Sequence, residues 1–142
     1  MKKEKAKVIL TVGKRKKAIA RAKVVPGTGK VIINSKPLEI WGNEFLRLRI
    51  KEPLILAEDL GAKLDFYVNV KGGGTTGQTE AVRMAIARGL VEFSKDKKLV
   101  EKFLNYDRNL LVFDFRRTEP HHGSGRGASK RGSRRHKQRS KR

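Results

Sequence analysis

The chain has 142 residues, with 35 Lys+Arg against 14 Asp+Glu, a formal net charge of +21 and no cysteine. One domain is expected from this length, and the missing cysteines exclude a disulfide framework, a Cys-ligated zinc site and a catalytic thiol. No run approaches the ~20 apolar residues that span a bilayer, and Val8–Gly13 is too short for a signal peptide, so the expectation is a soluble intracellular protein that faces a polyanion, not a membrane.

The basic N-terminal segment, 1–23, holds ten Lys/Arg and one Glu. Within it Lys7–Val12 reads as a strand with Val8, Leu10 and Val12 on one face. Gly13–Lys17 reads as a basic turn, and Ala18–Val25 as a second strand. Its small face is Ala18, Ala20, Ala22 and Val24, and its other face carries Ile19, Arg21 and Lys23. Pro26–Gly29 is a tight turn, after which Val31–Asn34 returns as a third strand of an antiparallel meander. Asn43 can cap a helix over Glu44–Ile50, and Pro53 suits the first turn of a second short helix through Leu60, stopped by Gly61. Asp65–Val70 is a fourth strand, with Phe66, Val68 and Val70 on one face. Gly72–Gly77 leads into the strongest helix, Gln78–Phe93, whose Val82, Ala85/Ile86, Gly89/Leu90 and Phe93 follow the 3.6 period while Arg83 and Arg88 fall off it. Asp96 can cap a last helix, Lys97–Leu104, and Leu110–Phe113 is an apolar run placed to anchor the start of the basic tail.

Strands and then helices predict an α+β body, 1–115, in which a four-stranded sheet is covered on one face by helices. The other face is left to show the basic side of the second strand. Residues 24–115 carry a net charge of only +2. Residues 116–142 hold eleven Lys/Arg, one Glu and a single apolar residue, Ala128. They cannot bury enough surface to offset an ordering entropy of about 1–2 kcal/mol per residue, and read as an extended basic C-terminal arm.

Gly72-x-Gly74-x-x-Gly77 matches the dinucleotide fingerprint and sits between a strand and a helix. The acidic residue that should close a second strand about 20 residues on is instead Glu92, inside the same helix. A Walker loop needs Gly-Lys-Ser/Thr, whereas the chain has Gly77-Gln78-Thr79. Two readings survive: a glycine turn that lets the helix pack close to the sheet, and an anion site at a helix N-terminus, which in so basic a chain suits a nucleic-acid phosphate. His121, His122 and His136 have no cysteine or carboxylate cluster beside them, so no metal is expected. No catalytic set and no cofactor site can be named. The candidate nucleic-acid contacts are Lys14, Arg15, Lys16, Lys17 and Arg21, the loop residues Gly72, Gly73, Gly74, Gly77 and Gln78, and Arg116, Arg117, Arg126, Arg131, Arg134 and Arg135 of the arm. The arm has no aromatic residue, which predicts phosphate tracking rather than base stacking.

Several segments together resemble a known family. They are Gly13–Ala22, Pro26–Asn34, Gly72–Gln78, Arg83–Leu90 and the arm ending Ser140-Lys141-Arg142. In this order and spacing they are similar to the universal small-subunit ribosomal protein family numbered nine, and Arg116–Pro120 looks like its archaeal and eukaryotic branch. The resemblance implies a four-stranded sheet with helices around a left-handed β-α-β unit. It also implies a structural role in the cytoplasm: binding ribosomal RNA in the head of the small subunit, beside neighbouring head proteins. The arm's tip, here Arg139, Lys141 and Arg142, is implied to reach the peptidyl-site transfer RNA. The family usually has glycine and proline around the aspartate where this chain has Phe113-Asp114-Phe115, and Gly123–Gly127 is also unusual. A DNA-compacting protein would explain the charge but not the capped body with one glycine–helix motif. A small-molecule kinase would share a glycine loop, but the body is short and offers no Mg²⁺-binding carboxylate pair.

Overall fold

The computed structural model describes residues 8–118. Strands β1 (Ile9–Arg15) and β2 (Ala18–Pro26) pair antiparallel, from Ile9 opposite Val24 to Arg15 opposite Ala18. Where the sequence suggests a turn from Gly13, pairing continues through Arg15, and only Lys16 and Lys17 connect the strands. Side chains alternate across an extended backbone. Accordingly Ala18, Ala20, Ala22 and Val24 are buried, and Ile19, Arg21 and Lys23 face outward. Val8, Leu10 and Val12 do share a face, but it is the uncovered one. Leu10 is 74% exposed, and the positions of Ile9, Thr11 and Gly13 face the helices.

The sheet order is β1-β2-β5-β3-β4, so the meander expected from the sequence does not form. β5 (Leu64–Lys71) lies between β2 and β3 (Val31–Ile33), antiparallel to the first and parallel to the second. The reason lies in the 27–30 loop, which β5 holds in place of a hairpin. Gly27 N–H donates to the Lys63 carbonyl (2.9 Å) and Phe66 N–H to the Lys30 carbonyl (2.7 Å). The Asp65 carboxylate accepts from the backbone N–H groups of Lys30 (2.9 Å) and Thr28 (2.8 Å), which hold its pKa below the ordinary value. A fifth strand, β4 (Lys36–Pro37), pairs antiparallel with β3 and raises the count above the expected four, while the parallel β3–β5 pairing makes the sheet mixed. Beyond the end of β3 the Asn34 side chain continues the ladder: it donates to the Val70 carbonyl (3.1 Å) and accepts from Val70 N–H (2.9 Å).

The crossover from β3 to β5 contains α1 (Glu44–Leu56), capped by Asn43, whose Oδ1 accepts from Leu46 N–H (3.3 Å). The two helices expected around Pro53 are one. Proline inside a helix costs about 3 kcal/mol, and burial of Ile50 and Pro53 offsets that cost. A separate turn, α2 (Asp59–Ala62), follows. Helix α3 (Thr75–Ser94) starts three residues earlier than its apolar period suggests, and α4 (Lys97–Tyr106) is capped by Asp96 as expected.

Helix α3 is buried nearly all round, because β1, β2 and β5 lie on one side and α1 on another. Arg83, which falls off its apolar stripe, is therefore buried rather than exposed. It pairs with Glu52 of α1 (2.5 Å), Glu80 (3.5 Å) and Asp107 (2.7 Å) just beyond α4. Burial alone would lower its pKa, but the Asp107 bond and the charges of Glu52 and Glu80 outweigh burial and raise it. Burial likewise pushes Asp107 up, and the bonds from Arg83 and Asn109 N–H pull it below the ordinary carboxylate range.

Contact between α3 and the hairpin is unusually close. A Cβ on Gly13 would stand 1.9 Å from the Ala81 carbonyl oxygen, and one on Gly89 2.7 Å from Val24 Cγ2. Thr11 Oγ1 donates to the Ala85 carbonyl (2.8 Å) across the same seam. Gly13→Ala should therefore lower unfolding stability by about 3 kcal/mol or more, since backbone cannot yield to the methyl group. Gly74→Ala, whose Cβ meets nothing within 4 Å, should lower unfolding stability by no more than about 1 kcal/mol, the N-cap preference for glycine over alanine. Equal urea midpoints for the two variants would contradict the close seam.

Candidate nucleic-acid interface

At the end of β5 the chain must leave the sheet and enter α3 within a few residues. Gly72 (φ 80°) and Gly73 (φ 66°) both occupy the left-handed region, which glycine adopts without strain. A Cβ on Gly72 would stand 2.4 Å from the Lys17 carbonyl oxygen, so the glycine loop lies directly against the β1–β2 turn. Gly74 is the N-cap of α3 in extended conformation, and no side chain caps the helix. The first intrahelical bond runs from Gln78 N–H to the Gly74 carbonyl (2.9 Å). Gly77 already lies in the first turn, and the Gln78 amide folds back to donate to the Gly72 carbonyl (3.2 Å). A helix N-terminus left open this way carries about half a positive charge and donor groups suited to an anion. Among the described residues α3 is followed by α4 rather than a second parallel strand, which removes the dinucleotide-binding reading.

The start of the arm reaches the same place. Arg88 donates from Nη1 to the Val12 carbonyl (2.8 Å) and from Nε and Nη2 to the Leu111 carbonyl (3.0 and 2.9 Å), tying the segment after α4 to β1. Leu110 is fully buried, as an anchor should be. Asp114 is only 8% exposed. It pairs with the Arg15 guanidinium and accepts from the Arg116 backbone N–H (2.9 Å) and Nη2 (2.7 Å). Arg117 donates to the Lys16 carbonyl (3.1 Å), and its guanidinium lies 5.1 Å from the centre of the Phe113 ring. Between turn, loop and arm root lies a cleft of about 380 Å³, with Lys14, Lys16, Arg49, Thr76, Gly77 and Arg116 on its walls. Its carboxylates are all occupied by arginines: Glu80 by Arg49, Asp107 by Arg83, Asp114 by Arg15 and Arg116.

The fold thus brings together three of the groups singled out in the sequence: Lys14–Lys17, Gly72–Gln78 and Arg116–Arg117. Among the described residues Lys14, Lys16, Lys17 and Arg21 form no ion pair and point their charges outward. Arg15 and Arg116 are held by Asp114, so both position the arm root. Arg21 stands apart, mid-strand on the uncovered face. The register there sets Lys14, Ile19 and Lys71 in one row, Val12, Arg21 and Asn69 in the next, and Leu10, Lys23 and Tyr67 beyond. Lys71 and Arg49 were not among the sequence candidates. The alternation of β5, with Tyr67 and Asn69 opposite its buried face, was signal enough for Lys71, whereas Arg49 enters only through tertiary packing. Arg126, Arg131, Arg134, Arg135, Arg139, Lys141 and Arg142 lie outside the described residues. No described group of His, Cys, Asp or Glu could hold a metal ion, and no described helix is long and apolar enough to cross a membrane.

Residues 13–142 match the family model described as ribosomal protein S9/S16. The chain is 50% identical over 115 residues to the small ribosomal subunit protein uS9 of Methanococcus vannielii, an alignment covering 81% of this chain and 86% of that protein. Proteins of the same name from Methanococcus maripaludis strains C7 and C5 show the same identity and coverage.

Because a Cβ at Gly74 meets no atom within 4 Å and its φ of −95° suits any residue, Gly74→Val tests the loop's role toward a ligand. The variant should stay folded, with unfolding stability within about 1 kcal/mol of the parent, the difference between glycine and a residue disfavoured at an N-cap. It should bind structured RNA roughly 10- to 100-fold more weakly, the loss of a hydrogen bond to a charged phosphate, about 1.5–3 kcal/mol. Parent-like RNA affinity would reduce the loop to a packing turn.

Proposed function

The chain belongs to the ribosomal protein S9/S16 family, and on that premise we propose that it is a structural component of the small ribosomal subunit that binds ribosomal RNA in the subunit head through one end of its sheet. Membership in a ribosomal protein family makes it a structural protein and not an enzyme. The observation that carries the RNA reading is the convergence of the basic β1–β2 turn, the uncapped N-terminus of α3 and the arm root around a single cleft. Phosphates approaching there meet helix N–H groups and the unpaired cations Lys14, Lys16 and Lys17. Lys71, Arg21 and Lys23 extend the positive surface over the uncovered face, where Tyr67 is 43% exposed.

In this reading the chain divides into a body, 1–115, that sets position and an arm, 116–142, that adds affinity. Asp114 is the joint. By holding Arg15 and Arg116 together it fixes the direction in which the arm leaves the turn. Arg126, Arg131, Arg134 and Arg135 would track RNA phosphates. Fully extended, 27 residues reach about 90 Å at ~3.3 Å per residue, enough for Arg139, Lys141 and Arg142 to meet the peptidyl-site transfer RNA at the subunit's functional centre. The left-handed sense of the β3-α1-β5 unit, the contact with neighbouring head proteins and the cytoplasmic setting belong to the same proposal and rest on the family resemblance.

The charge map predicts how these parts separate. Each phosphate neutralised on a single strand contributes about 0.7 to the salt slope, so deleting 116–142, with ~6–8 contacts, should flatten log K against log salt by roughly 4–6. An unchanged slope would remove the arm from the interface. Arg142→Ala should leave subunit assembly near normal while weakening peptidyl-site transfer RNA binding by about 1–3 kcal/mol, read as transfer RNA affinity and frameshifting on purified subunits. Parent-like values in both would confine the arm's tip to ribosomal RNA.

A further inference from the structure

Helix α1 carries a second apolar face that the fold does not use. Its buried side holds Ile50 and Pro53 against the core. Phe45, Leu48 and Ile55, spaced at three and seven residues, lie on another side and are 82, 52 and 69% exposed. Ile40, in the 3-10 turn that precedes the helix, is 66% exposed. Beside Ile55 opens a groove of about 360 Å³ whose lining includes Val31, Leu38 and Leu54 together with Glu39, Lys51 and Glu58, the last already paired with Lys102 (2.6 Å). Large apolar side chains grouped in this way on a soluble protein mark a contact surface rather than scattered exposure.

The charge around this ridge is opposite to that of the rest of the chain. Residues 38–62 contain five Asp/Glu and three Lys/Arg, in a chain of net charge +21. Two of the three cations are engaged inside the fold: Arg47 Nη1 donates to the Glu39 carbonyl (2.8 Å), and Arg49 pairs with Glu80 (2.5 Å). Among the described residues the carboxylates of Glu39, Glu44 and Asp59 form no ion pair, and all three residues are exposed. Because α1 packs on α3, the ridge also lies on the helix-covered side of the sheet, away from the uncovered basic face.

We infer that the α1 ridge and its groove form a docking surface for a second protein, through a segment rich in Lys and Arg that carries one or two aliphatic or aromatic anchors. The apolar groove takes the anchors, and the unpaired carboxylates, Glu39 in its lining with Glu44 and Asp59 on the adjoining α1 and α2, take the cations. A phosphate backbone is repelled by the same carboxylates. The chain's own arm has cations but no large apolar side chain to enter the groove. The inference rests on the proposed ribosomal role and names, for this chain, the face that would meet a neighbouring protein while RNA occupies another.

The chain contains no cysteine, so Leu48→Cys provides a single thiol for a benzophenone maleimide. Full-length labelled chain is assembled into small ribosomal subunits and irradiated, and the adduct is sequenced. The expected adduct is a peptide of another subunit protein with clustered Lys or Arg around an apolar residue. Adding Phe45→Glu and Ile55→Glu should lower its yield at least ~10-fold while the chain's circular dichroism and its incorporation stay parent-like. An adduct on RNA, on a second copy or on this chain's own residues 1–7 or 119–142 would overturn the inference. So would no adduct at all, or a yield indifferent to the two glutamates. A parent chain missing from the subunit fraction would instead overturn the ribosomal role, and this inference with it.

Discussion

The close approach of α3 to the β1–β2 hairpin is the constraint on which the rest of the structure depends. A helix normally sits on a sheet at a distance set by branched side chains. Here the facing surfaces are Thr11, Gly13, Ala18, Ala20 and Ala22 on the strands against Ala81, Ala85 and Gly89 on the helix. Small residues exchange side-chain area for main-chain proximity. The stability lost by burying little apolar surface is recovered where the helix reaches larger partners, including Phe66 and Val24. The seam also accounts for the orientation of β1. Leu10 and Val12 cannot face a helix that lies almost on the strand backbone, so the glycine and threonine positions do, and the larger side chains turn outward.

That proximity has consequences at the end of the sheet. A helix seated so low must begin close to the strand before it, and Gly72 and Gly73 supply the left-handed turn that makes this short passage possible. The same tight passage presses the loop against the Lys17 carbonyl and thereby sets the helix N-terminus beside the basic turn. The two readings of the glycine motif left open by the sequence are therefore compatible. Gly72 and Gly73 are needed for packing, whereas Gly74 is unconstrained by the fold and faces the open end.

The near-neutral balance of residues 24–115, a net of +2, conceals a division of labour among the ions of the body. Arg83 with Glu52, Glu80 and Asp107 joins three helical segments in a buried network, and Arg88 fastens the segment after α4 to β1. Asp114 commits its charge to Arg15 and Arg116 at the arm root. These ions define geometry. The lysines of the β1–β2 turn and the open face remain available for an external anion, and the carboxylates near α1 define a region of opposite character. A single chain so basic can in this way present one face suited to RNA and another suited to protein.

By itself the sequence determined whatever depends on local order. The alternation of β2, the caps at Asn43 and Asp96, the α3 period and the concentration of charge at both ends were all legible, as was the family. These come from period, capping chemistry and composition, each settled within a few residues. Tertiary structure alone decided the strand order, because the insertion of β5 between β2 and β3 depends on bonds from the 27–30 loop to residues more than thirty positions away. It likewise decided the outward turn of Leu10, the single helix through Pro53, the burial of Arg83 and the roles of Arg15 and Arg116. In each case the side chain's own preference was overruled by a partner distant in sequence: a helix too close for a leucine, a core that tolerates a proline, carboxylates gathered from separate elements. The cations that could be counted in the sequence became structural or available according to which carboxylates folding brought beside them, and such proximity over long stretches of chain is not written in any local pattern.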